Sequence, residues 1–192
     1  MKISVLAAGA AAAALLAAGS AQAGHIVNGS FETGNFAGWT QSANMGFTFV
    51  VCGGFDGMNA SDGNCFAALG PVGSDGELSQ TFNDVPGKLY LASFDYASDG
   101  NTPNDFTPFL VGQLAGPFIV DDVQHGFEHF TGVFTGTGAD TFAFTFRNDP
   151  GYNGLDNINV VALGTPEPAT WAMMLLGVGA IGAMARRRRV TA

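Results

Sequence analysis

The stretch Asp140–Arg147 alternates without a break, with Phe142, Phe144 and Phe146 on one side and Thr141, Ala143, Thr145 and Arg147 on the other. A period of two over that length describes a strand with one buried and one wet face. The pattern recurs along the chain. Tyr90, Ala92, Phe94 and Tyr96 share a face within Lys88–Tyr96, Phe47, Phe49 and Val51 share another, and Phe130 and Phe134 a third within His129–Phe134. Cys65–Leu69, Glu77–Phe82 and the closing Leu155–Leu163 read as further strands, with Phe106–Val111 and Pro117–Val120 as shorter ones. Turn residues separate these runs, as in Asn83-Asp84-Val85-Pro86-Gly87, and the chain holds 28 glycines. Eight or more short strands with no helical period between them predict an all-β domain, a β-sandwich of jelly-roll type. The absence of a repeat of 20–50 residues argues against a propeller or solenoid.

Both ends of the chain differ from this body. Residues 1–23 carry one early charge, Lys2, then an apolar stretch from Val5 to Ala18, and close on Ala21-Gln22-Ala23. That order is a secretory signal peptide with a small-x-small cleavage site, so signal peptidase is an expected partner. At the other end, Pro166-Glu167-Pro168 precedes an uncharged run, 169–185, which is followed by Arg186, Arg187, Arg188 and Arg189. As a helix that run is about 25 Å long, within the range of a single membrane span. The arginines would stay cytoplasmic and the body would lie outside, while the two prolines keep the motif extended.

The order of motif, span and basic cluster resembles the PEP-CTERM signal of bacterial surface proteins. The resemblance implies recognition and processing by a membrane-embedded exosortase. It also implies a Gram-negative-type bacterium and a destination at the cell envelope, cell surface or extracellular matrix. A plain membrane anchor is the alternative. The expected organisation is therefore 1–23 signal peptide, 24–165 sandwich domain and 166–192 sorting signal.

Between the two signals lie fifteen acidic residues and two basic ones, Lys88 and Arg147, a net charge of −13. Such a surface cannot neutralise phosphates, which excludes nucleic acid as a partner. The two cysteines, Cys52 and Cys65, read as a disulfide in an exported chain. The loop they close, Gly53–Asn64, is rich in Gly, Asp and Asn and is expected to bury little.

The body opens with Asn28-Gly29-Ser30-Phe31-Glu32, followed by Gly38-Trp39. Together with Leu78-Ser79-Gln80-Thr81-Phe82, a Pro-Gly turn and Tyr90-Leu91-Ala92-Ser93-Phe94-Asp95, it resembles jelly-roll carbohydrate-binding modules and related galactose-binding-like domains. That resemblance implies a closing strand beside the first one and a structural Ca²⁺ where they meet. Carried over by motif, its ligands are Glu32 and Asp156, although Asp156-Asn157 departs from the double acid common there. Asp56, Asn59, Asp62 and Asn64 form a second group of oxygen donors, without the spacing of an EF-hand. Phe31 and Trp39 are expected in the core.

Sugar binding requires exposed rings beside polar side chains. Tyr152, Phe106 and Asn153 are the candidate ligand contacts, with Phe55, Phe109, Asp99, Asn101 and Asn104 as further candidates, and an extracellular polysaccharide is the partner they suggest. His125 and His129 lie four apart on an extended segment, about 13 Å from each other, and read as surface histidines. There is no Gly-x-Ser-x-Gly elbow, and the acids concentrate in turns, so the expectation is a non-enzymatic protein. The competing readings are a purely structural or adhesive component and, more remotely, an all-β hydrolase built on paired carboxylates.

Overall fold

The computed structural model describes residues 26–110, 113–114 and 116–164, and the single residue Leu176. The signal peptide of 1–23, the sorting motif Pro166, Glu167 and Pro168, the span of 169–185 and Arg186–Arg189 lie outside the described residues. Among the described residues, no helix is long and apolar enough to cross a membrane.

Among the described residues, eleven strands form two antiparallel sheets. The first sheet runs β1 (Thr40–Ala43), β4 (Gly76–Asn83), β10 (Ala139–Asn148), β6 (Asn104–Leu110) and β7 (Gln113–Leu114), with β8 (Ile119–Val120) also pairing β6. The second runs β2 (Thr48–Cys52), β3 (Cys65–Leu69), β11 (Asn153–Ala162), β5 (Leu89–Ser98) and β9 (His125–Thr135). Neighbours within each sheet are mostly distant in sequence, because the chain crosses repeatedly between the layers. This is the all-β, jelly-roll-type sandwich that the strand pattern predicts.

Alternation builds the core. Phe142, Phe144 and Phe146 on β10 and Tyr90, Phe94 and Tyr96 on β5 turn inward and are buried, joined by Leu78, Phe106, Leu155 and Val160. The rings interlock, with centroids 5.3 Å apart for Phe94–Phe144, 5.7 Å for Phe106–Phe144 and 4.4 Å for Tyr96–Phe106. Such pairs contribute about 0.5–1.5 kcal/mol each beyond the area they bury.

The opening segment closes one side of this core. Phe31 and Trp39 are buried, as expected, and the Trp39 indole donates to the Asn28 carbonyl at 3.1 Å. Ile158 N–H on β11 donates to the Gly29 carbonyl at 3.1 Å, so the first segment lies against the last strand. A Cβ on Gly29 would collide with the Ile158 carbonyl oxygen, so the closeness of that approach requires glycine.

The disulfide Cys52–Cys65 is present, at the end of the β2–β3 pair. The loop it closes buries more than its composition suggests. Met58 is buried and Phe55 and Ala60 are half-buried, packed with Phe66, Ala68, Ala97, Phe127 and Tyr152 in a second apolar cluster. The cause lies in β3, where all five residues are buried, so the outward pair Phe66 and Ala68 needs a cover. Small residues make room for it: a Cβ on Gly154 would sit 2.9 Å from the Phe127 ring and 3.0 Å from the Met58 sulfur. The loop is a flap lying on the outer face of the second sheet.

Candidate functional site

Where the flap meets the β11 turn, three rings stand edge to face. Centroids are 5.3 Å apart for Phe49–Phe55, 5.7 Å for Phe49–Tyr152 and 5.0 Å for Phe55–Tyr152. None of the three is fully covered. The Tyr152 ring packs closely against Gly70, where a Cβ would approach it to 2.7 Å. Its backbone is pinned as well, because Tyr152 N–H donates to Asp99 Oδ2 at 2.7 Å.

Asp99 organises the polar side of this cluster. It also accepts from the Asn101 backbone and side chain and from Asn148 Nδ2, at 2.9, 2.8 and 3.0 Å. Partial burial alone would raise its pKa, but these donors outweigh burial and hold it below the ordinary carboxylate value. Asp56, carried on the flap, is pushed the other way by burial and by Asp99 beside it. One carboxylate is thus stabilised as an anion while its neighbour holds its proton more tightly.

Two candidate contacts take no part in this surface. Phe106 is buried between the sheets, and Asn153 is buried among Tyr96, Asn148, Asp105 and Arg147, using both ends of its amide. Neither presents an atom to a ligand. Phe106 falls on the inward side of β6, and the Asn153 amide is used up satisfying the turn at 147–153. Asn104 is buried too, tying Asn101 to Asp122. Tyr152 remains, and it is joined by Phe49 and Phe55. Strand alternation alone marks Phe49 only as one face of β2, and nothing local to that strand signals its meeting with Tyr152.

Glu32 and Asp156 approach the same stretch of flap from opposite ends of the chain. Glu32 Oε1 accepts from Asn64 N–H and Cys65 N–H, both at 2.7 Å. Asp156 Oδ2 accepts from Ser61 N–H at 2.8 Å, Ser61 Oγ at 3.0 Å and Asp62 N–H at 3.0 Å, and its Oδ1 accepts from Asn157 N–H at 2.7 Å. Asp156 is fully buried. Burial raises its pKa to about 6 despite those donors. No cationic side chain is bonded to this carboxylate and its oxygens already accept four hydrogen bonds, so a Ca²⁺ would have to share them with those donors. Among the described residues, no group of three or more His, Cys, Asp or Glu is placed to hold a metal. An ion here would therefore draw on Glu32, Asp156 and backbone oxygens. The second group of oxygen donors does not converge, since Asp56 faces Asp99 whereas Asp62 accepts from Ser30.

Each histidine of β9 has its own aspartate. His125 Nε2 lies 2.8 Å from Asp122 Oδ2, and His129 Nδ1 lies 2.5 Å from Asp95 Oδ1. Asp95 also accepts from Asn157 Nδ2 at 3.0 Å, across the register shift in β11.

Beyond β11 the sequence runs into the Pro-Glu-Pro segment, and residues 165–189 match the PEP-CTERM protein-sorting motif. This chain carries a PEP-CTERM signal. The motif marks an exported, cell-envelope-associated protein and makes an exosortase its processing partner. No curated protein sequence matches the chain. Solved structures share its fold at low identity. TmCBM61 in complex with β-1,4-galactotriose is 21% identical with a TM-score of 0.53, over 72% of this chain and 99% of that one. The N-terminal CBM22-1–CBM22-2 tandem of Paenibacillus barcinonensis Xyn10C is 16% identical with a TM-score of 0.51, over 79% of this chain and 49% of that one. The enzymatically active domain of bacteriophage CBA120 tailspike protein 4 is 18% identical with a TM-score of 0.53, and this chain spans only 21% of its length. The sandwich of this PEP-CTERM protein therefore has the jelly-roll fold of carbohydrate-binding modules.

Proposed function

We propose that this PEP-CTERM protein is a non-enzymatic surface or extracellular-matrix component that binds polysaccharide at the Phe49–Phe55–Tyr152 cluster. The observation that carries the reading is an incompletely covered trio of rings beside an ionised, well-anchored Asp99. Rings accept the apolar faces of a sugar, and a few oriented polar groups fix its hydroxyls. Asp99, Asn101 and Asp56 supply those groups. Likeness to binding modules of the same fold supports this reading by analogy.

The organisation proposed with it is a signal peptide of 1–23, a sandwich of 24–165 and a sorting signal of 166–192. A structural Ca²⁺ held by Glu32 and Asp156 belongs to the same reading, and it would tie the flap to both ends of the domain.

A glycan array probed with the full chain, followed by calorimetric titration of the best ligand, tests the proposal. Saturable binding that falls at least about tenfold in Tyr152→Ala, a loss of about 1.4 kcal/mol or more, is the expected result. Binding that survives Tyr152→Ala would refute the assignment of the site. No binding to any glycan would leave the structural or adhesive reading, and release of new sugar ends would point to a hydrolase.

A further inference from the structure

The two sheets end in edges of unequal length. β1 runs four residues, β2 five, and β7 and β8 two each, too short to template much pairing. β9 runs eleven residues and, among the described residues, pairs with β5 alone.

The register decides which of its backbone groups are free. Gly136 N–H donates to the Lys88 carbonyl, and on the other side of β5 Leu163 N–H donates to the Leu89 carbonyl. Bonding direction alternates along an antiparallel strand. Phe130, Gly132 and Phe134 therefore turn their amides toward β5, while Thr131, Val133 and Thr135 turn theirs outward.

Side chains guard the first half of this edge, where Glu128 and His129 are exposed, but not the second. No residue from Phe130 to Ala139 is charged and none is proline, although lysine, inward charge and proline are the usual means of blocking an edge. Val133 is 60% exposed and ends a cross-strand row, Val161–Leu91–Val133, with Leu89 beside it at 49%.

We propose that β9 pairs antiparallel with β9 of a second copy of this chain, about a two-fold axis at Gly132, joining two five-stranded sheets into one. That axis sets Thr131 opposite Val133 of the second copy and Phe130 opposite its Phe134, and cross-strand pairs of aromatic and β-branched residues favour the seam. An axis at Thr131 would place Glu128 against Phe134, and one at Val133 would place Phe134 against Gly132. The uncharged seam lets two bodies of net charge −13 meet with no carboxylate in the paired stretch. The pairing leaves the ring cluster free. Val133 lies opposite Leu91 and Asn153 opposite Ser98, so Tyr152 is about 24 Å along the strands from the seam. A pair of copies would then present two sugar sites with the gain in avidity that linkage brings.

Sedimentation velocity of the full chain in detergent tests the pairing, with Val133→Lys and Thr131→Pro as variants on the outward positions. The expected result is a dimer that strengthens between about 0.05 and 0.5 M salt, as repulsion is screened. Each variant should weaken it at least about tenfold with unchanged circular dichroism and thermal midpoint. A wild-type chain that stays monomeric up to about 100 μM overturns the proposal. So does a dimer indifferent to both substitutions, which would mean association through the apolar tail. A monomer that dimerises only when residues 165–192 are deleted also overturns it, because the chain's own tail would then cover the edge.

Discussion

Replacing Asp156 with alanine tests how the flap is held. The side chain is fully buried and satisfies three backbone donors, Ser61, Asp62 and Asn157, together with the Ser61 hydroxyl. Each donor left without an acceptor costs about 1–3 kcal/mol, a gross loss of about 3–9 kcal/mol. Relief of burial opposes this loss. With its pKa raised from 3.8 to about 6, the carboxylate costs about 3 kcal/mol to hold ionised at neutral pH. Ser61 and Asp62 are exposed residues, so water recovers part of the rest. The middle of the gross range less this relief is about 3 kcal/mol, and with the water the net expectation is a loss of about 2 kcal/mol, a fall in midpoint of about 8 °C, read by urea and thermal unfolding in EDTA.

The pH dependence has a definite sign. A carboxyl raised above its unfolded value favours the fold below about pH 4, and that contribution is lost as pH rises through about 6. Wild type without calcium should lose stability over that window and Asp156→Ala should lose less, since Asp56, Asp84 and Asp105 are raised as well and remain in the variant. Adding calcium should restore stability to wild type at neutral pH, by an amount set by concentration over Kd, and leave the variant unchanged. A variant within about 1 kcal/mol of wild type in EDTA would refute the anchoring role. A wild type indifferent to calcium would remove the ion from the proposal.

Three further outcomes are expected. Phe144→Ala removes a fully buried ring packed against Trp39, Phe94, Phe106 and Phe142, and should cost about 3–5 kcal/mol in denaturant unfolding. Replacing both cysteines of the bridge by serine opens a loop of sequence separation 13, for a loss of about 3 kcal/mol in the same assay. Burial alone would lower the pKa of His125, but the Gly126 carbonyl and the Asp122 carboxylate outweigh it and hold the imidazolium above its ordinary value. Its contribution is complete below about pH 6.5 and lost as pH rises through the folded value. Asp122→Asn should weaken that dependence, leaving what the Gly126 carbonyl and Glu128 supply, at a cost under about 1 kcal/mol.

The strands were legible because each carries its own evidence. Phe142, Phe144 and Phe146 define a buried face whatever lies opposite, and the turn after Asn83 needs only its own prolyl and glycyl residues. The flap was not legible. Gly53–Asn64 reads as solvated by composition, and only the apolar outer face of β3 gives Phe55 and Met58 a surface to cover. Phe106 and Asn153 show the same limit from the other side. An aromatic ring or an amide is equally suited to a ligand and to a neighbour, and the layer opposite decides which it meets.

Sequence alone determined the strand class, the acidic exported body, the disulfide and the sorting motif, because each depends on periodicity, net charge or residues close together in the chain. Tertiary structure decided that Phe49, Phe55 and Tyr152 share one surface, that Glu32 and Asp156 hold one loop, and that among the described residues β9 is left as the long edge. Those facts depend on pairings between strands tens of residues apart, and no local pattern encodes the partner a strand will find.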